Sequence, residues 1–276
     1  MKKKSMIFVF AALLLVCVCG LGACTRNNEK INVYKYDDAE KYTAGEAEFL
    51  DYVSALDINW VAGSVTVTTG NVKGVTVQET YSKEKVSDDY KVHTYLEDNK
   101  LHVAFAKSGK VLGFINLQKD LTVIFPQAME LKNVTVRSIS APIKLDNSLT
   151  VTDFRAETVS GDVNATFSAD KPVNFKVETI SGGVKGNFIK TAAPFVDIET
   201  VSGDAHLVAM DLSDVDFSSV SGSLLLNVPG DMGYTAELRS VSGKFSSEYE
   251  EKTTYGDGRV KIDAETTTGN LTVKKA

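Results

Sequence analysis

A short phrase that returns about every 20 residues constrains the fold of this chain more than any other feature. In its commonest form it reads Ser or Thr, then Val or Ile, then Ser, then Gly. Its eight copies end at Gly63, Ala141, Gly161, Gly182, Gly203, Gly222, Gly243 and Gly269. From the second copy onward the intervals are 19 to 26 residues, which is typical of stacked repeats in a strand-rich chain.

The residues on both sides of each copy alternate between apolar and polar. Before Gly182, for example, Phe175 and Val177 are apolar, and Val184 is apolar after it. An alternation with a period of two predicts a strand with one buried face on each side of the corner. A single unit cannot bury its apolar face alone, so we expect the units to stack about 4.8 Å apart around a shared core.

These patterns predict an all-β fold, a β-helix or β-solenoid of stacked coils of about 20 residues each. The alternative is a β-sandwich whose strands are evenly spaced. Glycine at each corner is expected to adopt a backbone conformation that residues with a side chain avoid. The Ser or Thr three residues earlier is expected to contribute to a ladder of hydroxyl groups along one edge.

The interval between Gly63 and Ala141 breaks the period. Alternating runs within it predict strands at residues 75–80, 91–96, 101–106 and 121–125. Residues 97–100 have the composition of a hairpin turn, so we expect an N-terminal antiparallel hairpin elaboration that caps the first coils. Trp60 replaces the small hydroxyl residue of the first copy and is expected to plug that end.

The N-terminus has the features of a bacterial lipoprotein signal peptide. Three lysines at residues 2–4 precede an apolar stretch at 7–18, and Leu21-Gly22-Ala23-Cys24 follows. This lipobox predicts that residues 1–23 are removed and that Cys24 carries the membrane-anchoring lipid, including a fatty acid such as palmitate. The alternative is an ordinary signal peptide, or an uncleaved anchor, that happens to contain a cysteine.

The remaining chain divides into a spacer at residues 24–48 and a β-solenoid domain at 49–276. Residues 33–36 alternate and could dock on the body as a strand. The other two cysteines lie in the segment predicted to be removed, so the mature body has no disulfide and no thiolate metal site. The net charge of −6 argues against a nucleic-acid partner with a broad basic surface.

No catalytic motif stands out in the sequence. The chain has no nucleophile elbow, P-loop or zinc-protease motif, and we predict no cofactor, no metal site and no catalytic residue. Of the three histidines, His93 and His102 fall in neighbouring predicted strands, but no Glu or Cys stands at ligand spacing. We interpret them as solvent-facing strand residues.

One column of charges is a candidate binding surface. Glu157, Glu178 and Glu199 occupy the same outward position in successive coils, where like charges at strand spacing repel. Arg155 and Lys176 lie nearby on the same face. The three glutamates are a candidate site for Ca²⁺ or a cationic polymer, and the alternative is an ordinary solvated face.

The lipobox, the segment Tyr34-Lys35-Tyr36-Asp37-Asp38-Ala39-Glu40-Lys41-Tyr42 and the serial coils together resemble a bacterial putative-adhesin family of unknown function, which has LiaG-like envelope proteins among its relatives. The resemblance extends over nearly all of the mature chain. It implies a surface-exposed β-solenoid, in some members linked with envelope stress. It supplies no catalytic residues.

The sequence therefore predicts a non-enzymatic, lipid-anchored β-solenoid on the extracytoplasmic face of the cell membrane, serving surface binding or adhesion. Its expected partners are the membrane, through the lipid on Cys24, and an envelope polymer or envelope protein. One alternative is an accessory protein of cell-envelope stress sensing. Another is a β-helix polysaccharide lyase or hydrolase, which would require converging polar groups in a groove.

Overall fold

The computed structural model describes residues 21–26, 29–111, 117–127, 129–146, 149–168, 170–249 and 253–276. Residues 1–20, most of the predicted signal peptide, lie outside the described residues. Within the described ranges, no helix has the length and apolar character needed to cross a membrane. The helices described are two 3₁₀ turns, Ala39–Lys41 and Asp88–Tyr90.

Strands make up nearly all of the described secondary structure. In chain order they are β1 Leu21–Arg26, β2 Glu29–Tyr34, β3 Thr43–Ala44, β4 Ala47–Phe49, β5 Ala55–Asn59, β6 Gly63–Gly70, β7 Val75–Tyr81, β8 His93–Glu97, β9 Lys100–Ala104, β10 Lys110–Val111, β11 Lys119–Pro126, β12 Glu130–Ser138, β13 Ile143–Leu145, β14 Thr150–Thr158, β15 Val163–Phe167, β16 Asn174–Thr179, β17 Val184–Phe188, β18 Phe195–Thr200, β19 Ala205–Ala209, β20 Asp214–Ser218, β21 Leu224–Val228, β22 Tyr234–Ser240, β23 Phe245–Ser247, β24 Thr254–Tyr255, β25 Val260–Thr266 and β26 Leu271–Lys275.

Two long, largely parallel sheets are built from these strands. The first sheet has 12 strands in the order β24-β22-β25-β20-β18-β16-β14-β12-β5-β9-β8-β3. The second has 11 strands in the order β23-β26-β21-β19-β17-β15-β13-β6-β11-β7-β4. Each repeat contributes one strand to each sheet on either side of its corner, so the predicted all-β solenoid of stacked coils is confirmed.

The core lies between the two sheets and is built from the positions that the alternation predicted. Phe154 of β14 pairs in register with Phe175 of β16, and their rings stack at 5.6 Å with planes 7° apart. Across the core, Phe167 stacks in the same way on Phe188 at 5.5 Å. All four side chains are buried. Identical residues in neighbouring coils thus stack on one another along the solenoid.

The coils do not stack in strict chain order. The coil of Gly243, formed by β22 and β23, lies at the end of the stack, and the last coil, β25 and β26, is inserted before it. The inserted coil buries all four of its apolar positions, whereas Phe245 and Ser247 of β23 are only half buried. The coil with the weaker apolar face therefore occupies the end, where only the two-residue strand β24 continues the first sheet beyond it.

The expectation about the corner glycines is wrong for most copies. Gly63 has a φ of +99°, but the later corner glycines are outside the left-handed region. They are required because the coils approach closely: a Cβ on Gly182 would lie 2.2 Å from the carbonyl oxygen of Gly161. A Cβ on Gly203 would lie 2.0 Å from the carbonyl oxygen of Gly182. Glycine is required at these corners because successive coils leave no room for a Cβ, and not because of a special backbone conformation.

The hydroxyl residues three positions earlier each stabilise their own corner. The backbone N–H of Gly182 donates a hydrogen bond to Thr179 Oγ1 at 2.9 Å, and Gly203 donates to Thr200 Oγ1 at 2.8 Å. Both threonines are fully buried. The predicted ladder therefore exists as a buried column of caps, which satisfies amide donors that would otherwise be unpaired.

We expect Gly182→Ala to lower the free energy of unfolding by about 1–3 kcal/mol, because the new methyl group overlaps the carbonyl of the coil below. The matched control is Gly183→Ala, whose Cβ would make an ordinary 3.4 Å contact with Asp162. That variant is expected to stay within about 0.5 kcal/mol of the wild type. Urea unfolding followed by circular dichroism measures both. Similar losses in the two variants would mean that the corners are not closely stacked.

The hairpin elaboration lies where the sequence predicts it. Strand β8 pairs antiparallel with β9 around a turn in which Asp98 and Asn99 have φ values of 50° and 62°, and β7 pairs antiparallel with β11. Strands β9 and β11 also run parallel to β5 and β6, adding a further layer beyond the first repeat. Trp60 is therefore covered by this layer and is an internal core residue, so its predicted role as an end plug is wrong.

Part of the segment predicted to be a spacer is packed on the body. Strand β2 pairs with β10, and Tyr34 at its end is 2% exposed. The Tyr34 hydroxyl donates to the carbonyl oxygen of Asn59 at 2.8 Å and accepts from the backbone N–H of Phe105 at 2.9 Å. The predicted docking of residues 33–36 thus has a physical cause. The Tyr34 ring is buried, and its hydroxyl group both donates and accepts a hydrogen bond. The division at residues 23, 48 and 276 stays a prediction.

Candidate functional site

The outer face of the first sheet carries columns of charged side chains across five neighbouring strands. Register places Glu157 beside Glu178 and Glu178 beside Glu199. We call the whole set the charged ladder; it comprises Asp57, Arg137, Arg155, Glu157, Lys176, Glu178, Asp197 and Glu199. The stacking of the three glutamates follows the sequence prediction.

Basic side chains of the ladder bridge successive strands. Arg155 bonds Glu157 at 2.6 Å within its own strand and Glu178 at 2.7 Å in the next strand. Lys176 lies 2.8 Å from Asp197 and 3.4 Å from Glu199. At the other end, Arg137 bonds Asp57 at 2.7 Å and lies 3.7 Å from Glu157. Their positive charges offset the repulsion expected between the stacked glutamates.

These contacts change what the glutamate column can offer to a partner. The Glu157 side chain is 9% exposed and that of Glu199 is 22% exposed, and each contacts a basic side chain of this chain. Burial raises the pKa of Glu178, partly offset by the charges of Arg155 and Lys176. The glutamates therefore act as members of a mixed-charge surface, and a role for them in binding stays a proposal.

A shallow groove runs over the ladder. Its volume is about 570 Å³, and its polar lining includes Asn133, Asp153, Asn174 and the ladder residues Arg155 and Lys176. Phe195 at its margin is 36% exposed. The groove therefore combines amide, carboxylate, basic and aromatic groups on a rigid sheet, which is a set suited to recognising an extended ligand.

A second concavity continues the same face toward the N-terminal end of the stack. We call it the aromatic cleft; its volume is about 440 Å³, and it is lined by residues that include Tyr36, Tyr42, Asp57, Asn59, Tyr95, Glu97, His102 and Arg137. Tyr42 lies 5.5 Å from Tyr95 between ring centroids, and Tyr95 stacks on His102 at 5.8 Å. Sequence analysis missed this cluster because its rings come from strands β8 and β9 and from residues 35–42, which are distant in the chain.

The titratable groups of the cleft are held in defined charge states. Burial raises the pKa of Tyr36 to about 12 and raises that of Tyr42 further. Burial lowers the pKa of His102, with the charge of Lys100 adding to the effect. The pKa of Asp57 is lowered, because Arg137 and Lys100 together outweigh the effect of burial. At neutral pH the cleft therefore presents uncharged hydroxyl and imidazole groups beside paired carboxylates.

The buried tyrosines predict a loss of stability at alkaline pH. Tyr34, Tyr36 and Tyr42 have pKa values raised by burial in the folded chain, whereas an unfolded tyrosine titrates near pH 10. Above about pH 10 the unfolded chain releases protons that the folded chain retains, so the stability present below that pH is lost as pH rises. We expect tyrosinate absorbance to appear together with loss of the β-sheet circular dichroism. Ionisation of these rings near pH 10 in an intact fold would contradict this.

A fully buried ion pair lies within the elaboration, and sequence analysis missed it. Lys119 Nζ lies 2.8 Å from Glu79 Oε2, and both side chains are completely inaccessible to solvent. The ammonium also donates to the carbonyl oxygens of Tyr90 and Phe105, and Glu79 Oε1 accepts from the Val92 N–H at 2.6 Å. Burial lowers the pKa of Lys119 to about 8, an effect that the charge of Glu79 opposes.

One sequence signal could have revealed this pair. Lys119 stands in phase with the buried Leu121 and Val123 of β11, and Glu79 stands in phase with Val75 and Val77 of β7. When two neighbouring strands each carry a residue of opposite charge at an inward position, the two side chains are expected to form an ion pair. An isolated buried charge would be costly. The pair lies within the elaboration, where it joins strands β7 and β11.

The histidines occupy separate positions. His93 is buried and its Nδ1 lies 2.9 Å from the carbonyl oxygen of Lys91, so its predicted exposure to solvent is wrong. His102 lines the cleft, and His206 bonds Asn227 at 3.0 Å. Among the described residues, no group of three or more His, Cys, Asp or Glu side chains is arranged to hold a metal ion.

Stacked coils with a charged outer face make this chain a β-solenoid repeat protein. A family model described as Toastrack DUF4097 matches residues 53–275, and the chain belongs to this family. The resemblance read from the sequence is thereby confirmed. Among curated proteins, no significant match is found.

Several solved bacterial structures are similar to the chain at low identity. A putative cell adhesion protein from Clostridium sporogenes is 13% identical, with 84% of this chain and 100% of that chain covered and a TM-score of 0.37. A putative adhesin from Bacteroides fragilis is 12% identical, with coverage of 85% and 97% and a TM-score of 0.28. A putative adhesin from Parabacteroides distasonis is 15% identical, with coverage of 86% and 97% and a TM-score of 0.31.

Proposed function

We propose that this protein is a lipid-anchored, non-enzymatic β-solenoid that is exposed on the cell surface and binds an envelope polymer or envelope protein through the outer face of its first sheet. The observation that carries the proposal is the continuity of that face. The groove and the aromatic cleft follow one another along the same sheet, with Arg137 of the charged ladder lining the cleft.

The chemistry of this face favours recognition over catalysis. A general acid or base must exchange a proton with its substrate, so its carboxyl group needs access to the reacting atoms. The glutamates of the charged ladder instead bond Arg155, Lys176 and Arg137. Side chains fixed by one another on a rigid sheet lose little entropy when a partner binds, and such preorganisation increases affinity.

The anchoring part of the proposal rests on the lipobox. Cys24 lies in β1, where it pairs with Ile31 of β2. If residues 1–23 are removed, the mature chain begins at Cys24 and reaches the body within the length of one hairpin. A lipid there would hold the solenoid close to the membrane, with its long faces accessible to the envelope.

Mass spectrometry of the membrane fraction tests the anchor. We expect a diacylated N-terminal peptide beginning at Cys24, incorporation of labelled palmitate, and digestion of the body by protease added to intact cells. The Cys24→Ala variant should lose the label and leave the washed membranes. Retention of that variant in the membrane with an unchanged mass pattern would refute lipid anchoring at this residue.

Binding is tested with the full-length lipoprotein in detergent micelles and purified cell-envelope material from the host. We expect saturable binding of the envelope material without change in its mass or composition. Release of soluble sugars from the envelope would instead identify a lyase or hydrolase. Absence of any binding would refute the surface-binding function.

A further inference from the structure

We propose that the aromatic cleft is a binding site for an uncharged glycan, whose pyranose ring stacks on the cleft rings and whose hydroxyl groups bond the polar side chains around them. This inference rests on the proposed surface-binding function and names the class of ligand. The volume of about 440 Å³ lies within the range of small-ligand pockets.

The rings of the cleft provide the stacking surface. Tyr42, Tyr95 and His102 lie within 6.4 Å of one another between centroids, and the planes of Tyr95 and His102 are 21° apart. The face of an aromatic ring is electron-rich and apolar, so it attracts the C–H groups on one side of a sugar ring. Tyr95 stands on β8, near the edge of the sheet, and its ring is partly exposed.

The polar lining supplies hydrogen-bonding groups suited to hydroxyls. The guanidinium of Arg137 bonds Asp57 through Nη1 and lies beside Glu157 through Nε, which leaves further N–H donors. The Tyr36 hydroxyl is buried at the wall of the cleft and interacts with the backbone of Ser108, which fixes the ring in place.

The charge distribution argues against a cationic ligand. Asp57 is paired with Arg137 and with Lys100, the latter at 2.8 Å. Glu97 is paired with Lys41 at 3.1 Å. The Lys41 ammonium also lies 5.2 Å from the centroid of the Tyr95 ring, and its positive charge would repel a ligand cation.

An anionic ligand is also disfavoured. Asp37 and Asp38 stand exposed at the margin of the cleft, where they would repel a phosphate or carboxylate. Neutral hydroxyl groups, by contrast, can both donate to paired carboxylates and accept from arginine and tyrosine. An uncharged polyol is the ligand class that can use the rings, the paired carboxylates and the N–H donors of this lining together.

The ligand belongs to the envelope of the same cell if the predicted anchor is correct. Tyr36 and Tyr42 follow β2 closely, and β2 pairs with the strand that contains Cys24. A glycan of this kind could come from a wall polysaccharide or from the headgroup of a glycolipid. Both sources present the same pyranose chemistry, so they are separate arms of one experiment.

The test uses the full-length lipoprotein in a detergent without a sugar headgroup. Calorimetry measures binding of neutral oligosaccharides released from wall polysaccharide in one arm and of vesicles containing diglucosyl diacylglycerol in the other. We expect binding in at least one arm, with little change as salt is raised, because a neutral ligand makes no screened charge contacts. Tyr95→Ala should weaken it by about tenfold, whereas Tyr95→Phe keeps the ring and stays within about threefold.

Tyr52→Ala is the matched control, since Tyr52 is 58% exposed and lies outside the cleft lining. It should bind as the wild type does. Equal affinity of Tyr95→Ala and the wild type, or no binding in either arm while intact envelope material still binds, would overturn the glycan site and leave the surface-binding function standing. If neither the wild type nor any variant binds intact envelope material, both the glycan site and the surface-binding function are refuted.

Discussion

Replacing Lys119 by methionine is expected to lower the free energy of unfolding by about 3–5 kcal/mol, because the Glu79 carboxylate would remain buried without its counter-ion. The ammonium of Lys119 touches Glu79 and two backbone carbonyl groups, and no part of either side chain reaches solvent. Methionine preserves most of the aliphatic length, so the loss reports the charge rather than a cavity. Urea unfolding monitored by circular dichroism measures it.

The matched control is Lys171→Met. Lys171 pairs with Glu130 on the surface, and its side chain is 51% exposed. Such a pair contributes about 0–1 kcal/mol, so this variant should unfold almost as the wild type does. The double variant Lys119→Met with Glu79→Gln should lose less than the sum of the two single changes, since neither charge is then left alone. Equal losses for Lys119→Met and Lys171→Met would mean that the buried pair does not exist.

Phe175→Ala should destabilise the chain by about 3–5 kcal/mol through the cavity that it leaves. The Phe175 ring is completely buried, stacks on Phe154 at 5.6 Å and meets Phe167 and Phe188 edge-on at 5.8 Å and 5.5 Å. Its loss therefore removes ring contacts in its own coil and in the neighbouring coil of β14 and β15. The same urea unfolding experiment measures the change.

Phe195→Ala provides the comparison for Phe175→Ala. Phe195 lies on the next strand of the same sheet, pairs with Asn174 and is 36% exposed on the outer face. We expect its loss to cost less than about 1 kcal/mol. A larger effect at Phe195 than at Phe175 would mean that the two faces of the first sheet are reversed.

The repeat made the fold predictable because it acts locally. A period of two on both sides of each corner determines which residues face inward, and Phe175, Val177 and Val184 are buried as that rule requires. The caps at Thr179 and Thr200 follow from the same repeated phrase. Such features depend only on contacts with the neighbouring coils, and those coils carry the same sequence pattern.

The features that escaped prediction depend on contacts between distant segments. The aromatic cleft joins Tyr42 to Tyr95, and the buried pair joins Glu79 to Lys119, and all four residues precede the periodic part of the chain that begins at Ala141. The insertion of β25 and β26 before β22 and β23 reflects competition between two coils for a covered position. A periodic pattern does not determine that order, because both coils satisfy the same spacing.

The reason for glycine at the corners illustrates the same limit. Sequence alone suggests a special backbone conformation, whereas the close approach of successive corners at Gly161, Gly182 and Gly203 is a property of the stack. The pairing of the glutamate column with Arg155 and Lys176 is a further example. The sequence identifies these charged residues, but it does not say which carboxylate on the next strand each basic side chain contacts.

The central claim is that the protein binds the envelope through the outer face of its first sheet, and blocking one face at a time tests it most directly. Asn174 lines the groove on that face, and Asn164 of β15 is an exposed residue on the outer face of the second sheet. If Cys24 is acylated and residues 1–23 are removed, as proposed, Asn174→Cys and Asn164→Cys each provide one reactive thiol.

Each full-length variant is labelled with a maleimide-linked polyethylene glycol chain, and its binding to purified envelope material is compared with that of the unlabelled variant. We expect the label at residue 174 to abolish binding and the label at residue 164 to leave it intact. Undiminished binding with the label at residue 174, or loss of binding only with the label at residue 164, would contradict the claim.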